Sequence, residues 1–178
     1  MLRQRKDVLF VEPDEFMMIP DAMPNDPWVA PWQWYIKTPT TDPNYLCTTP
    51  GADFGLEQAW DIQTIGAIVA EWDVADVDAT HPDVAPFCDE HGWHFGKNRP
   101  TCKPEFSNGI SPHSTAVFGM ITGGNNGIGG SGAGWRTPVM VMQTGGEATF
   151  SQMFDYVESM GARIVTISWG AAYSQVLK

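Results

Sequence analysis

Hydrophobic positions follow two regimes along this chain. Up to about residue 51 they keep no period, and Pro and turn residues interrupt them. One short strand is predicted there, Asp-Val-Leu-Phe-Val-Glu at 7–12, ended by Pro13. Residues 13–51 read as an extended strap lying on something else, with Trp28, Trp32, Trp34 and Tyr35 expected to anchor it by burial. From Asp53 the pattern sharpens. Apolar residues at 56, 59, 60 and 62 predict a short helix over 54–62, and Ala67-Ile68-Val69-Ala70 opens a strand running to about Asp73. Residues 85–110 read as a polar loop insertion. Ser111-Pro112 is a helix start, with Ser as N-cap and Pro first in the helix, and Gly123-Gly124 is its stop. A Gly-rich loop over 123–134 follows, then a buried-type strand from Pro138 to Gln143. Thr149 to Gln152 fits a capping box. Phe150, Met153, Phe154, Val157 and Met160 then fall on one helical face, Gly161 ends that helix, and Arg163 to Ser168 is the next strand. Alternating strands and helices predict an α/β domain with a parallel sheet and ligands at the carboxyl ends of its strands.

Composition narrows the function classes. With 178 residues the chain is long enough for one domain with a real core. Its net charge of −11 disfavours binding to a nucleic-acid backbone, which would repel it. No apolar run is long enough to span a bilayer. The basic start Met1 to Lys6 lacks a following apolar run and does not read as a signal peptide. Cys88 and Cys102 flank a polar stretch and form either one disulfide or two free thiols; Cys47 has no obvious mate.

Candidate chemistry gathers at element ends. Asp73 ends the first core strand, His113 sits in the first turn of a helix, and Ser168-Trp169-Gly170 follows the last strand. A carboxylate that orients an imidazole, which then takes a proton from a nucleophile, is the base half of a Ser-His-Asp triad. Singly, an Asp at a strand end usually caps a turn and a His at a helix start is usually solvated. His81, His91, His94 and His113 raise zinc, but their spacing fits no standard ligand pattern. The Gly-rich loop raises phosphate binding, but it follows a helix and has no Gly-Lys-Ser/Thr ending.

In combination these segments resemble the subtilisin-like serine peptidases, the subtilases. Asn25-Asp26-Pro27, Gln33-Trp34 and Ala59-Trp60-Asp61 resemble the start of the mature enzyme. Val77 to Val84 resembles the segment after the catalytic Asp, and His113-Ser114-Thr115-Ala116-Val117-Phe118-Gly119 the catalytic-His helix, usually His-Gly-Thr-x-Val-x-Gly. Asn125 to Gly130 resembles the loop that follows, and Gly161 to Gly170 the strand lining the substrate cleft. The resemblance implies a three-layer subtilisin-like α/β fold with a mostly parallel sheet, incomplete in this chain. It implies an endopeptidase with Asp73 and His113 in the triad. Ser168, Trp169 and Gly170, with the edge at Gly145 and Gly146, would pair with a polypeptide substrate, and Trp169 would shape the first specificity pocket. It further implies a structural Ca²⁺ held by Asp26, Asp83, Asn126 and the carbonyls of Gly124, Ile128 and Gly130. Residues 1–22 would be the end of a propeptide, a partner of the enzyme, and 23–178 the start of a secreted or cell-surface catalytic domain.

Departures from the family pattern matter too. The usual Asp-Ser/Thr-Gly reads Asp73-Val74-Ala75-Asp76 here. Counting back without a gap from His81-Pro82-Asp83 puts Val74 at the catalytic position; one inserted residue restores Asp73, and Asp76 is the fallback. Ser114 replaces the Gly after the His. The nucleophile segment, Gly-Thr-Ser-Met-Ala-like, and the oxyanion-hole Asn do not occur, and Ser131, Ser151, Ser168 and Ser174 match neither. The chain therefore reads as a fragment, expected to be inactive alone and to leave an apolar sheet poorly covered. The alternatives are a catalytically inactive subtilase-like peptide-binding module and an unrelated acidic calcium-binding α/β domain.

Overall fold

The computed structural model describes residues 24–38, 49, 51–62, 66–146 and 149–169. The strand expected at 7–12, the propeptide segment 1–22, Cys47, Gly170 and Ser174 lie outside them. Nine elements are named in chain order: α1 (Val29–Trp32), α2 (Leu56–Trp60), β1 (Val69–Trp72), β2 (Trp93–His94), β3 (Arg99–Pro100), α3 (Pro112–Thr122), β4 (Val139–Gln143), α4 (Phe150–Ser159) and β5 (Ile164–Ile167). The sheet order is β3-β2-β4-β1-β5. β1 runs parallel to β4 and β5, β2 runs parallel to β4, and only the β2–β3 pair is antiparallel. The subtilisin-like, mostly parallel α/β architecture is thus present. The stretch expected to be a plain loop over 85–110 instead holds this small hairpin, which extends the sheet.

β1 and β4 are buried at every position, because helices cover both sheet faces. Ala70, Trp72, Met140 and Met142 pack against Phe150, Met153 and Val157 of α4. On the opposite face Val139 and Val141 pack with Phe118 of α3. Phe154, expected on the buried face of α4, is 43% exposed, and the capping box does not form. Thr149 is already helical at φ −98°, ψ −3°, whereas a capping residue needs extended backbone. Its hydroxyl bonds the Gly146 carbonyl and the Thr144 hydroxyl instead. At the sheet edge, Ile164 and Ile167 of β5 are 53% and 45% exposed, so the expected deficit of cover falls on this strand.

Of the four aromatic residues expected to anchor the strap, only Tyr35 packs against its core, half-buried. Trp28, Trp32 and Trp34 are 59%, 70% and 41% exposed. Val29 and Ile36 are the buried anchors, in a cluster with Trp60 and Trp135. A single helical turn offers one inward position, and Val29 takes it. Trp28 and Trp32 are four residues apart and share another side. There they wall a cavity of about 550 Å³, closed by Pro112, Ala116, Gly119 and Met120 of α3. The Cys88–Cys102 disulfide is formed and closes the loop carrying β2 and β3.

Candidate active site

β1 ends one residue before Asp73, whose amide still donates to the Met142 carbonyl of β4 at 3.3 Å. α3 begins beside it because Ser111 is extended and its hydroxyl accepts from the His113 amide at 3.1 Å. This cap fixes where His113 leaves the helix. The result joins two residues forty positions apart: Asp73 Oδ2 lies 2.8 Å from His113 Nδ1. The other carboxylate oxygen, Oδ1, accepts from the Val74 amide at 2.6 Å. Asp73 is fully buried, while the His113 side chain is about half exposed at 54%. With Nδ1 on the carboxylate, Nε2 lies on the far side of the ring. Such a pair can fix the imidazole tautomer and stabilise its charged form. Among the described residues no serine hydroxyl bonds the His113 ring.

The other two candidates for the acid are placed differently. Val74 is 70% exposed. Asp76 is buried and engaged elsewhere: its carboxylate accepts from Arg99 Nη1 at 3.2 Å and from the Cys102 and Val77 amides at 2.9 and 3.1 Å. Arg99 also stacks over the Phe106 ring. The disulfide hairpin therefore supplies the counter-charge that Asp76 needs in the interior.

Ser168 and Trp169 follow β5, and Gly145 and Gly146 follow β4, so these segments flank the end of β1 on both sides. Gly145 and Gly146 are exposed, and Gly96 approaches Gly145 so closely that an added Cβ would sit 2.5 Å from its Cα. Trp169 packs against Trp72 at 5.2 Å and Phe150 at 5.9 Å between ring centroids, on the α4 side of the sheet. Its aromatic contacts are thus with this cluster and leave it as a wall on that side.

The residues assigned to calcium also come together, but through direct hydrogen bonds. Asp26 is buried, and its Oδ1 accepts from the amides of Asn126, Gly127 and Ile128 at 3.1, 3.0 and 3.1 Å. Its Oδ2 accepts from the Ser131 hydroxyl at 2.5 Å. Asn126 presents Nδ2, not its carbonyl, to Asp83 Oδ1 at 2.7 Å. Calcium takes six to eight oxygens with their lone pairs free. As arranged, this set does not fit the ion: protein donors occupy Asp26, and the Asn126 amide would have to turn over. Among the described residues no cluster of three His, Cys, Asp or Glu side chains could hold a metal.

Two features escaped the sequence reading. One is the Asp26 clamp, whose amides come from a loop a hundred residues away. The other is Glu71, fully buried on β1 with no hydrogen-bond partner for either carboxylate oxygen among the described residues. Its signal in the sequence is an acidic residue inside the apolar run Ile68 to Trp72. Burial, then the charges of Asp73 and Asp76, push its carboxyl up to about 9.

Comparison with known proteins agrees with this fold. The crystal structure of fervidolysin from Fervidobacterium pennivorans, a keratinolytic enzyme related to subtilisin, superposes with a TM-score of 0.58 at 23% identity. The match covers 70% of this chain and 21% of that one, and it shows the fold. No curated protein matches the chain. The family model for subtilases, peptidase S8, matches residues 66–177, which takes in β1, the Asp73–His113 pair and β5. The chain belongs to the subtilase family.

Proposed function

We propose that this chain carries the acid–base half of a serine endopeptidase site. The observation that supports it is the 2.8 Å contact of Asp73 Oδ2 with His113 Nδ1 at the carboxyl end of the parallel sheet. In this reading Asp73 holds the Nδ1–H tautomer and steadies the imidazolium. His113 Nε2 takes the proton of a serine hydroxyl as it attacks the peptide carbonyl, then gives it to the leaving amine. The backbone after β5 and β4 pairs with the substrate as an added strand. The serine and the oxyanion donors come from sequence outside these 178 residues. Secretion and a propeptide partner belong to the same reading.

The test uses the product of the complete reading frame that contains this chain. Casein cleavage is expected, and His113→Ala is expected to lower kcat at least about a thousandfold. Cleavage unaffected by His113→Ala refutes the reading. A binding-only role is favoured by Val74 and Ala75, which replace the family's Ser/Thr-Gly, and by Ser114. Saturable peptide binding with no turnover in the complete product would select that role.

A further inference from the structure

β1 and β4 form the buried centre of the sheet, and Glu71 is the one charged side chain in their sequences Val-Ala-Glu-Trp and Val-Met-Val-Met-Gln. Glu71 is paired in register with Val141, whose side chain packs on the α3 face with Phe118. Side chains two residues apart on a strand share a face. Glu71 therefore stands on the α3 face, one pleat below Asp73. Across from it, Ser114, Phe118 and Thr122 are the buried stripe of α3. The Ser114 hydroxyl is also buried with no partner among the described residues. The two groups are level. Thr122 is tied to the Thr137 carbonyl at 2.7 Å, just before β4. From Thr122 back to Ser114 the helix rises about 12 Å, and about four strand residues cover that distance from Thr137, reaching Val141.

We propose that Glu71, beneath α3 and level with Ser114, is a positioning residue for the Asp73–His113 pair, joined to the Ser114 hydroxyl through one buried water. The inference rests on reading Asp73 and His113 as the acid–base pair. The charges around Glu71 leave an ionised form uncompensated. Asp73 and Asp76 are negative, Arg99 is committed to Asp76, and His113 to Asp73. In register, β4 and β5 bring only Val141 and Thr166. A protonated carboxyl needs one acceptor; neither group bonds the other directly, so one buried water would join the carboxyl to the serine hydroxyl. The family's usual Gly after the His would supply none. Glu71 and Ser114 thus explain each other, two polar groups placed where one alone would be stranded. Kept neutral, Glu71 leaves Asp73 as the charge that faces His113. Ionised, it puts a second negative charge one pleat away, under the helix that carries His113.

Imidazole ¹⁵N shifts of His113, measured on the whole chain, report which nitrogen bears the proton. The Nδ1–H form is expected in the parent near pH 8, and its ¹⁵N shifts are expected to move further toward that form as Glu71 ionises, near pH 9, because the second negative charge lies on the Nδ1 side of the ring. Glu71→Gln is expected to show no such movement between about pH 8 and 10; Glu71→Val serves in its place if that variant does not fold. Ser114→Gly is expected to lower the parent's midpoint and to change nothing in the Glu71→Gln background. Identical profiles for parent and Glu71→Gln overturn the proposal, as does a Ser114→Gly shift of equal size in both backgrounds. A parent with mixed tautomers near pH 8 overturns the acid–base pair itself.

Discussion

Asp26→Ala removes one carboxylate that closes the glycine-rich loop against the strap. Three backbone amides, of Asn126, Gly127 and Ile128, and the Ser131 hydroxyl lose their acceptor. A hydrogen bond to a charged group contributes about 1.5–3 kcal/mol, so four give an upper limit near 6–12 kcal/mol. Most of that is recovered by water at the loop tip, since Asn126, Gly127 and Ile128 are exposed. Ser131 is fully buried and cannot be rehydrated in place. The expected loss is therefore about 3–5 kcal/mol, with Asp26→Asn near half of it because one acceptor survives. The strap should loosen with the loop, because the Trp28 amide donates to the Gly129 carbonyl at 2.8 Å. Urea titrations followed by tryptophan fluorescence measure the loss, and amide exchange at Trp28 and Ile128 localises it. A loss under about 1 kcal/mol refutes the account of the clamp. Calcium is the second arm. An ion at a hundred times its Kd would stabilise the parent by about 2.7 kcal/mol. With Asp26 saturated by protein donors, millimolar calcium is expected to leave the parent's urea midpoint unchanged. A clear rise would show that Asn126 turns over to make a site.

Glu71 sets a pH dependence of opposite sign to the usual carboxylate. Its carboxyl is near 9 in the folded protein and 4.5 by default, so between those values the native state holds the extra proton. Stability should therefore fall as pH rises through this window, by on the order of 1 kcal/mol per unit from this group. Urea midpoints at pH 5.5 and 7.5 should converge in Glu71→Gln, and equal slopes in both proteins refute the shift. Reducing the Cys88–Cys102 bridge, with 14 residues of separation, should cost about 3 kcal/mol, read as the difference in urea midpoint with and without dithiothreitol. Phe118→Ala should cost about 3–5 kcal/mol, because Phe118 is fully buried between α3 and the sheet. Phe154→Ala, at a 43% exposed site, should cost clearly less, and a reversed order of the two would refute the packing described.

Much of the frame was legible because periodicity and end signals act locally. The three long parallel strands fall within one or two residues of where the apolar runs put them, at Val69–Trp72, Val139–Gln143 and Ile164–Ile167. Ser111-Pro112 marked the start of α3, since an extended serine and a proline satisfy the first turn by themselves. The hairpin over residues 93–100 was missed because two-residue strands carry no period. The tryptophans of the strap misled for a different reason. Hydrophobicity says that a side chain gains from burial, not whether the local backbone turns it inward. Geometry also distinguished residues the sequence left open, bringing Asp73 to His113 and committing Asp76 to Arg99.

By itself the sequence determined the order of strands and helices, the charge and the family pattern, since each is written in neighbouring residues. The tertiary structure decided everything that depends on residues far apart in the chain. Asp73 and His113 meet because β1 ends, and the later helix α3 begins, at the same edge of the sheet. Asp26 closes a loop a hundred residues away, and Glu71 is stranded because helices cover both faces of its sheet. Hydrogen bonding and desolvation depend on separations of a few ångströms in space, and only the folded chain sets those separations.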